Sequence, residues 1–142
     1  MSVDSTAQIH PSAVIEPGAR IGAGCEIGPF CWIGAHVELA ENVVCTSHVV
    51  IRGQTKVGSD TRIFSFAVIG EIPQDLKFKG EVSQLEIGQR NTIREHVTIN
   101  LGTQGGGGVT SIGDDCLLMA GCHIAHDARL GNRVIIVNSA AI

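Results

Sequence analysis

Ile9-His10-Pro11-Ser12-Ala13-Val14-Ile15-Glu16-Pro17-Gly18-Ala19-Arg20-Ile21-Gly22-Ala23-Gly24-Cys25-Glu26-Ile27 repeats every six residues. Each hexad opens on Ile (Ile9, Ile15, Ile21, Ile27) and carries a small side chain four residues later (Ala13, Ala19, Cys25). The register runs on through Ile33, Leu39, Cys45, Ile51, Val57, Ile63 and Ile69. It resumes at Ile87, Ile93 and Ile99, and again at Ile112, Leu118, Ile124, Leu130, Ile136 and Ile142. The small position continues as Cys31, Val37, Val43, Val49, Thr55, Thr61 and Ala67, then Val97, Thr103, Cys116, Cys122, Ala128, Val134 and Ala140, with Asn91 as the departure. A period of six matches neither the 3.6-residue helix nor the two-residue alternation of a hairpin sheet. It fits short flat strands joined by corners, three hexads to a triangular coil, with coils stacked as parallel strands about 4.8 Å apart. The expected fold is all-β: a parallel β-helix of roughly six to seven coils, one domain over residues 1–142.

Composition agrees. The chain is 44% hydrophobic and 17% charged, so it can bury a core, yet it has no Tyr, four Phe and one Trp. The core must then be built from Ile, Val, Leu, Ala and Cys. Cys25, Cys31, Cys116 and Cys122 fall on the small inward position and Cys45 on the large one, which reads as reduced core filler rather than a disulfide framework or metal site. Glycines following the aliphatic position (Gly22, Gly28, Gly34, Gly58, Gly70, Gly88, Gly113, Gly131) are expected to serve the corners. A formal charge of −4, with no Lys/Arg run, argues against nucleic acid as a partner. No apolar run approaches the length of a membrane span. Met1-Ser2-Val3-Asp4-Ser5 lacks the basic and apolar regions of a secretory signal, so a cytoplasmic location is expected.

Two interruptions of the repeat, at about residues 73–86 and 104–111, read as loops that leave the coil and return. With both set aside, the hexads at Ile51, Ile69, Ile99 and Ile124 fall on one face, so both loops leave at the same edge on neighbouring coils. Irregular segments of a solenoid commonly form its binding face. His126, two residues past Ile124, and His123, five past Leu118, point away from the core and towards that edge. A solvated surface histidine is the alternative for both. His10, His36, His48 and His96 also point outward, lack such a setting, and read as surface residues.

Several segments resemble one family. They are Ile69-Gly70-Glu71-Ile72-Pro73-Gln74-Asp75-Leu76-Lys77, then Ile93-Arg94-Glu95, Gly102-Thr103 with the following glycine run, and above all Leu118-Met119-Ala120-Gly121-Cys122-His123-Ile124-Ala125-His126-Asp127. The chain resembles the acyl-carrier-protein-dependent UDP-N-acetylglucosamine O-acyltransferases of lipid A biosynthesis, members of the hexapeptide-repeat transferases, over essentially its whole length. The resemblance implies a left-handed coil. It also implies transfer of a 3-hydroxyacyl group from acyl carrier protein to the 3-hydroxyl of UDP-N-acetylglucosamine, in a homotrimer, with no metal and no other cofactor. It assigns His126 as general base and Asp127 as the residue that orients its imidazole. His123, Asp75, Lys77 and Gln74 are assigned to substrate. A histidine titrating near neutrality suits removal of a sugar hydroxyl proton as the oxygen attacks a thioester.

Two departures stand out. Leu101 occupies the place where the family usually has Arg before Gly-Thr, and by register it is expected to point outward one coil from His126. The chain also ends at Ile142, an inward position, whereas the family continues with further coils and a helical domain. A truncated, non-catalytic β-helix and a related transferase with another substrate therefore stay open as alternatives. A trimer-interface zinc site is a weaker one, since His-x-x-His offers two candidate ligands and no third.

Overall fold

The computed structural model describes residues 2–142, and among these the chain forms twenty short strands and one turn of 3-10 helix. Most strands are two residues long, such as Glu26–Ile27 and Thr92–Ile93. In most of them the second residue, the aliphatic one of the hexad, is buried and the first faces outward. Every strand pairing is parallel, and like positions pair coil to coil: Ile9 with Ile27, Ile27 with Cys45, Ile63 with Ile93 and Ile93 with Leu118. Three sheets result, of seven, seven and six strands. The first begins at Ser2–Val3, the second at Gln8–Ile9 and the third at Val14–Ile15. The three line the sides of a prism filled by the inward hexad residues, with Ile33, Ile51, Ile63, Ile69, Ile93, Ile99, Leu118 and Ile124 fully enclosed. Burying each such side chain stabilises by about 1.5–3 kcal/mol relative to exposure. All five cysteines are buried and free. Burial pushes the thiols of Cys25, Cys31, Cys45 and Cys122 upward, so they act as apolar filler.

The corners hold a surprise for the glycines. Left-handed corner positions are taken largely by Asn42, Asp60, Arg90, Asp115 and Arg133 on one edge, and by Phe30, His48, Phe66 and His96 on another. The latter four stack ring on ring at 5.0–5.2 Å. Most of the glycines after the aliphatic position answer a different need, close approach between coils. A Cβ on Gly28 would fall 1.6 Å from the Thr46 carbonyl oxygen. Asn91, the polar departure at a small inward position, is buried and fully used. Its side chain donates to the Gly113 carbonyl at 2.8 Å and accepts from the Cys116 amide at 2.8 Å.

Two expectations need correction. The loops end earlier than the repeat suggested, because Gln84–Ile87 and Val109–Ile112 are strands of the first sheet: Gln84–Ile87 pairs residue for residue with Gln54–Val57 on one side and with Val109–Ile112 on the other. Leu85 and Thr110 take the small inward positions there, in line with Thr55. The excursions are therefore 72–83 and 101–108. Leu101, expected outside, is 7% exposed and belongs to the core. The strand Val68–Glu71 carries one more residue than its partner, so Glu71 rather than Gly70 lies opposite Asn100. That bulge, with Gly70 at φ 81, lets Leu101 turn in over Gly53.

A candidate active site at the edge between the third and first sheets

Both excursions leave the third sheet, after Val68–Glu71 and after Thr98–Asn100, and return in the first. One coil further on, the strand His123–Ile124 is followed by Ala125, His126 and Asp127 in the turn leading to Arg129–Leu130. Asp127 adopts the left-handed conformation (φ 66) that Asp tolerates better than most residues, and its amide donates to the Thr110 hydroxyl at 2.9 Å. This turn carries His126 beside the two loops.

His126 Nδ1 lies 2.8 Å from Asp127 Oδ2. The carboxylate can only accept, so Nδ1 carries the proton and Nε2 is left as the basic nitrogen. Asp127 is further held by the Thr103 amide, which donates to Oδ1 at 2.7 Å, and by the Thr103 hydroxyl, which donates to Oδ2. Burial alone would raise the Asp127 carboxyl. The Thr103 hydroxyl and amide, then His126, outweigh it and hold the carboxyl below its ordinary value. The side chains of His126 and Asp127 are 33% and 15% exposed, open enough to meet a substrate and enclosed enough to keep their geometry.

Asp75, Lys77, Glu81, His126 and Asp127, with Thr103 and the turn Gln104–Gly106, surround a cavity of about 490 Å³. Asp75 Oδ1 accepts from the Lys77 amide at 2.9 Å, a local turn that fixes the start of the first loop. Glu81 ties the loops together: Oε1 accepts from the Lys79 amide at 2.8 Å and Oε2 from the Gln104 amide at 3.2 Å. These backbone donors hold the exposed Glu81 carboxyl below its ordinary value. The structure thus gathers Asp75, Lys77, His126 and Asp127 around one space. Gln74, exposed on the same loop, and His123 do not line it. His123 lies half-buried on the outer face of the third sheet, with Nδ1 2.7 Å from the Thr98 hydroxyl. Concavities of about 520 and 590 Å³ run along the first and second sheets, but they gather no hydrogen-bonded histidine–carboxylate pair. Among the described residues no three His, Cys, Asp or Glu side chains converge as a metal site requires.

Thr103, Glu81 and Gly106 escaped the reading of the repeat. Thr103 sits on the small inward register and looked like core, yet the chain has already left the coil there. The glycine run looked like a bare loop. A Cβ on Gly106, however, would fall 2.1 Å from Cγ and Oδ2 of Asp127, so that glycine makes room for the carboxylate.

The chain belongs to the bacterial transferase hexapeptide family, whose six-repeat pattern matches residues 3–35, 12–47 and 110–142, together more than half of the sequence. More particularly, it is 66% identical over 80 residues to the acyl-[acyl-carrier-protein]–UDP-N-acetylglucosamine O-acyltransferase of Paracoccus denitrificans, an alignment covering 56% of this chain and 31% of that protein. A UDP-N-acetylglucosamine acyltransferase from Campylobacter jejuni superposes with a TM-score of 0.90 at 45% identity, over 94% of this chain and 52% of that one. LpxA, a UDP-N-acetylglucosamine acyltransferase from Bacteroides fragilis, does so with a TM-score of 0.83 at 45% identity, over 99% and 52%. A mirror-image coil could not superpose in this way, so the prism is a left-handed parallel β-helix. The chain spans about half the length of the solved relatives it matches.

Proposed function

We propose that this chain carries the general base and the substrate-holding loop of an acyl-carrier-protein-dependent UDP-N-acetylglucosamine O-acyltransferase, the first step of lipid A biosynthesis. The observation that supports this most is the His126–Asp127 pair, set at a cavity whose other wall bears Asp75 and Lys77. In this reading Nε2 of His126 takes the proton of the sugar 3-hydroxyl as its oxygen attacks the acyl thioester of the carrier protein. The carbon–sulfur bond then breaks, and the imidazolium returns its proton to the departing sulfur. Asp127 keeps the proton on Nδ1 and steadies the imidazolium. Lys77 offers a cation to the diphosphate and Asp75 contacts the sugar nucleotide inside the cavity, while Gln74 and His123, which stand outside its wall, meet the part of the sugar nucleotide that extends beyond it. No cofactor takes part, and the reaction runs in the cytoplasm.

A homotrimer is supported by the outer face of the third sheet. Val14, Trp32, Val50 and Val68 follow one another up that face, Val14 and Trp32 are exposed, and exposed Phe30 and Phe66 line the adjoining edge. A second prism against this face would cover an apolar strip. It would also stand beside His123.

The test is transfer of a radiolabelled 3-hydroxyacyl group from acyl carrier protein to UDP-N-acetylglucosamine, with wild type compared to His126→Ala. Loss of the base is expected to cost about 10²–10⁴-fold in rate. Equal rates would remove His126 from that role.

A further inference from the structure

Behind the His126–Asp127 pair stands Thr103, 5% exposed and set in the wall of the cavity. Its amide and hydroxyl donate to the two oxygens of Asp127, and the oxygen that receives the hydroxyl, Oδ2, is also the one His126 Nδ1 meets. The Thr103 hydroxyl in turn accepts from the Gly106 amide at 3.2 Å. The carboxylate oxygen can only accept and the amide can only donate, so the direction of the Thr103 hydroxyl between them is fixed. The result is a chain from Gly106 N–H through Thr103 O–H to Asp127 Oδ2, with His126 Nδ1–H completing it.

We propose that Thr103 is a positioning residue for His126, acting through Asp127: it locks the plane of the carboxylate and takes up part of the charge on Oδ2. The proposal rests on the reading of His126 and Asp127 as base and orienting carboxylate. Its consequence is electrostatic. An oxygen shared between two donors presents less negative charge to the imidazole than one with a single donor. Taking one of the two donors away from Oδ2 should therefore strengthen the hold of the carboxylate on the imidazolium. Asp75, Lys77 and Glu81 face the pair across the cavity, and the Arg129 guanidinium lies beside Gly107 on the adjoining turn. All four are unchanged in the variants compared.

The experiment is an NMR titration of the His126 imidazole in the 142-residue chain, for wild type, Thr103→Val, Thr103→Ala, Thr103→Ser and Asp127→Asn. Amide spectra verify the fold of each variant, and the alanine variant serves if valine perturbs it. Removing the hydroxyl is expected to raise the His126 midpoint by roughly half to one pH unit, the scale of part of one charge-assisted hydrogen bond. Serine should track wild type, and Asp127→Asn should lower the midpoint. If Asp127→Asn lowers it while the valine and alanine variants stay at or below wild type, the role of Thr103 is overturned and the pair stands. If Asp127→Asn leaves it unmoved, the pair itself fails and the proposal falls with it.

Discussion

Alanine at position 106 isolates the contact on which the site geometry depends. Gly106 lies in the turn Gln104–Gly106 without a positive φ, so an alanine backbone is acceptable there. What the new methyl meets is Asp127, with its Cγ and Oδ2 at 2.1 Å and Cβ at 2.7 Å, whereas ordinary contact begins near 3.4 Å. The carboxylate must retreat by more than 1 Å. The bonds from Thr103 N and His126 Nδ1, now 2.7 and 2.8 Å, then stretch beyond useful reach. Two charge-assisted hydrogen bonds at about 1.5–3 kcal/mol each, partly replaced by water, leave a net cost of about 2–3 kcal/mol. For a domain of this size that is a drop in Tm of roughly 5–10 °C. Gly105 supplies the control, because a Cβ there meets nothing within 4 Å. Gly105→Ala should be neutral or stabilising by up to about 1 kcal/mol. Thermal unfolding followed by circular dichroism compares the two directly. In the acyl-transfer assay a displacement of this size should cost about 10²-fold for Gly106→Ala and nothing for Gly105→Ala. Melting curves that coincide for the two variants would refute the idea that this glycine exists to seat the carboxylate.

Three further outcomes follow from the same structure. Asn91→Leu restores the apolar register but strands the Gly113 carbonyl and the Cys116 amide, so urea unfolding should show a loss of about 2–4 kcal/mol; a variant more stable than wild type would mean the pattern outweighs the bonds. Leu101→Ala should cost about 2–4 kcal/mol by the same measurement, whereas a surface leucine would be nearly neutral. Asp127 titrates lower in the folded chain than in the unfolded one. Its contribution is therefore complete above the unfolded value of about 3.9 and is lost as pH falls through the folded value. Tm measured between pH 5 and 2 should fall more steeply for wild type than for Asp127→Asn, and parallel curves would contradict this.

The prism was legible because a hexad is a covalent spacing. One residue in six must be aliphatic to fill a triangular coil, and Ile9 to Ile69 say so without any knowledge of contacts. The shared edge of the two loops followed from counting alone, as did the outward direction of His126. Counting failed where the chain changes its rise per turn. The extra residue at Gly70 shifts the pairing so that Glu71 lies opposite Asn100, and Leu101 packs inward over Gly53 where it was expected out. Thr103 kept an inward register number in a segment that had already left the coil. Strand ends were also obscured, since Gln84–Ile87 has two buried positions instead of one and reads as loop by the hexad rule.

From sequence alone came the repeat, the three-sided core with its cysteine filler, and the edge where His126 and Asp127 stand. Only the tertiary structure decided how that pair is held. Hydrogen bonds from Thr103 and the tie that Glu81 makes to Gln104 join residues more than twenty positions apart. So does the contact that requires glycine at 106. Local spacing encodes which way a side chain points, because that depends on backbone geometry within one coil. It does not encode which loop atoms meet, because that depends on where two irregular segments settle against each other in space.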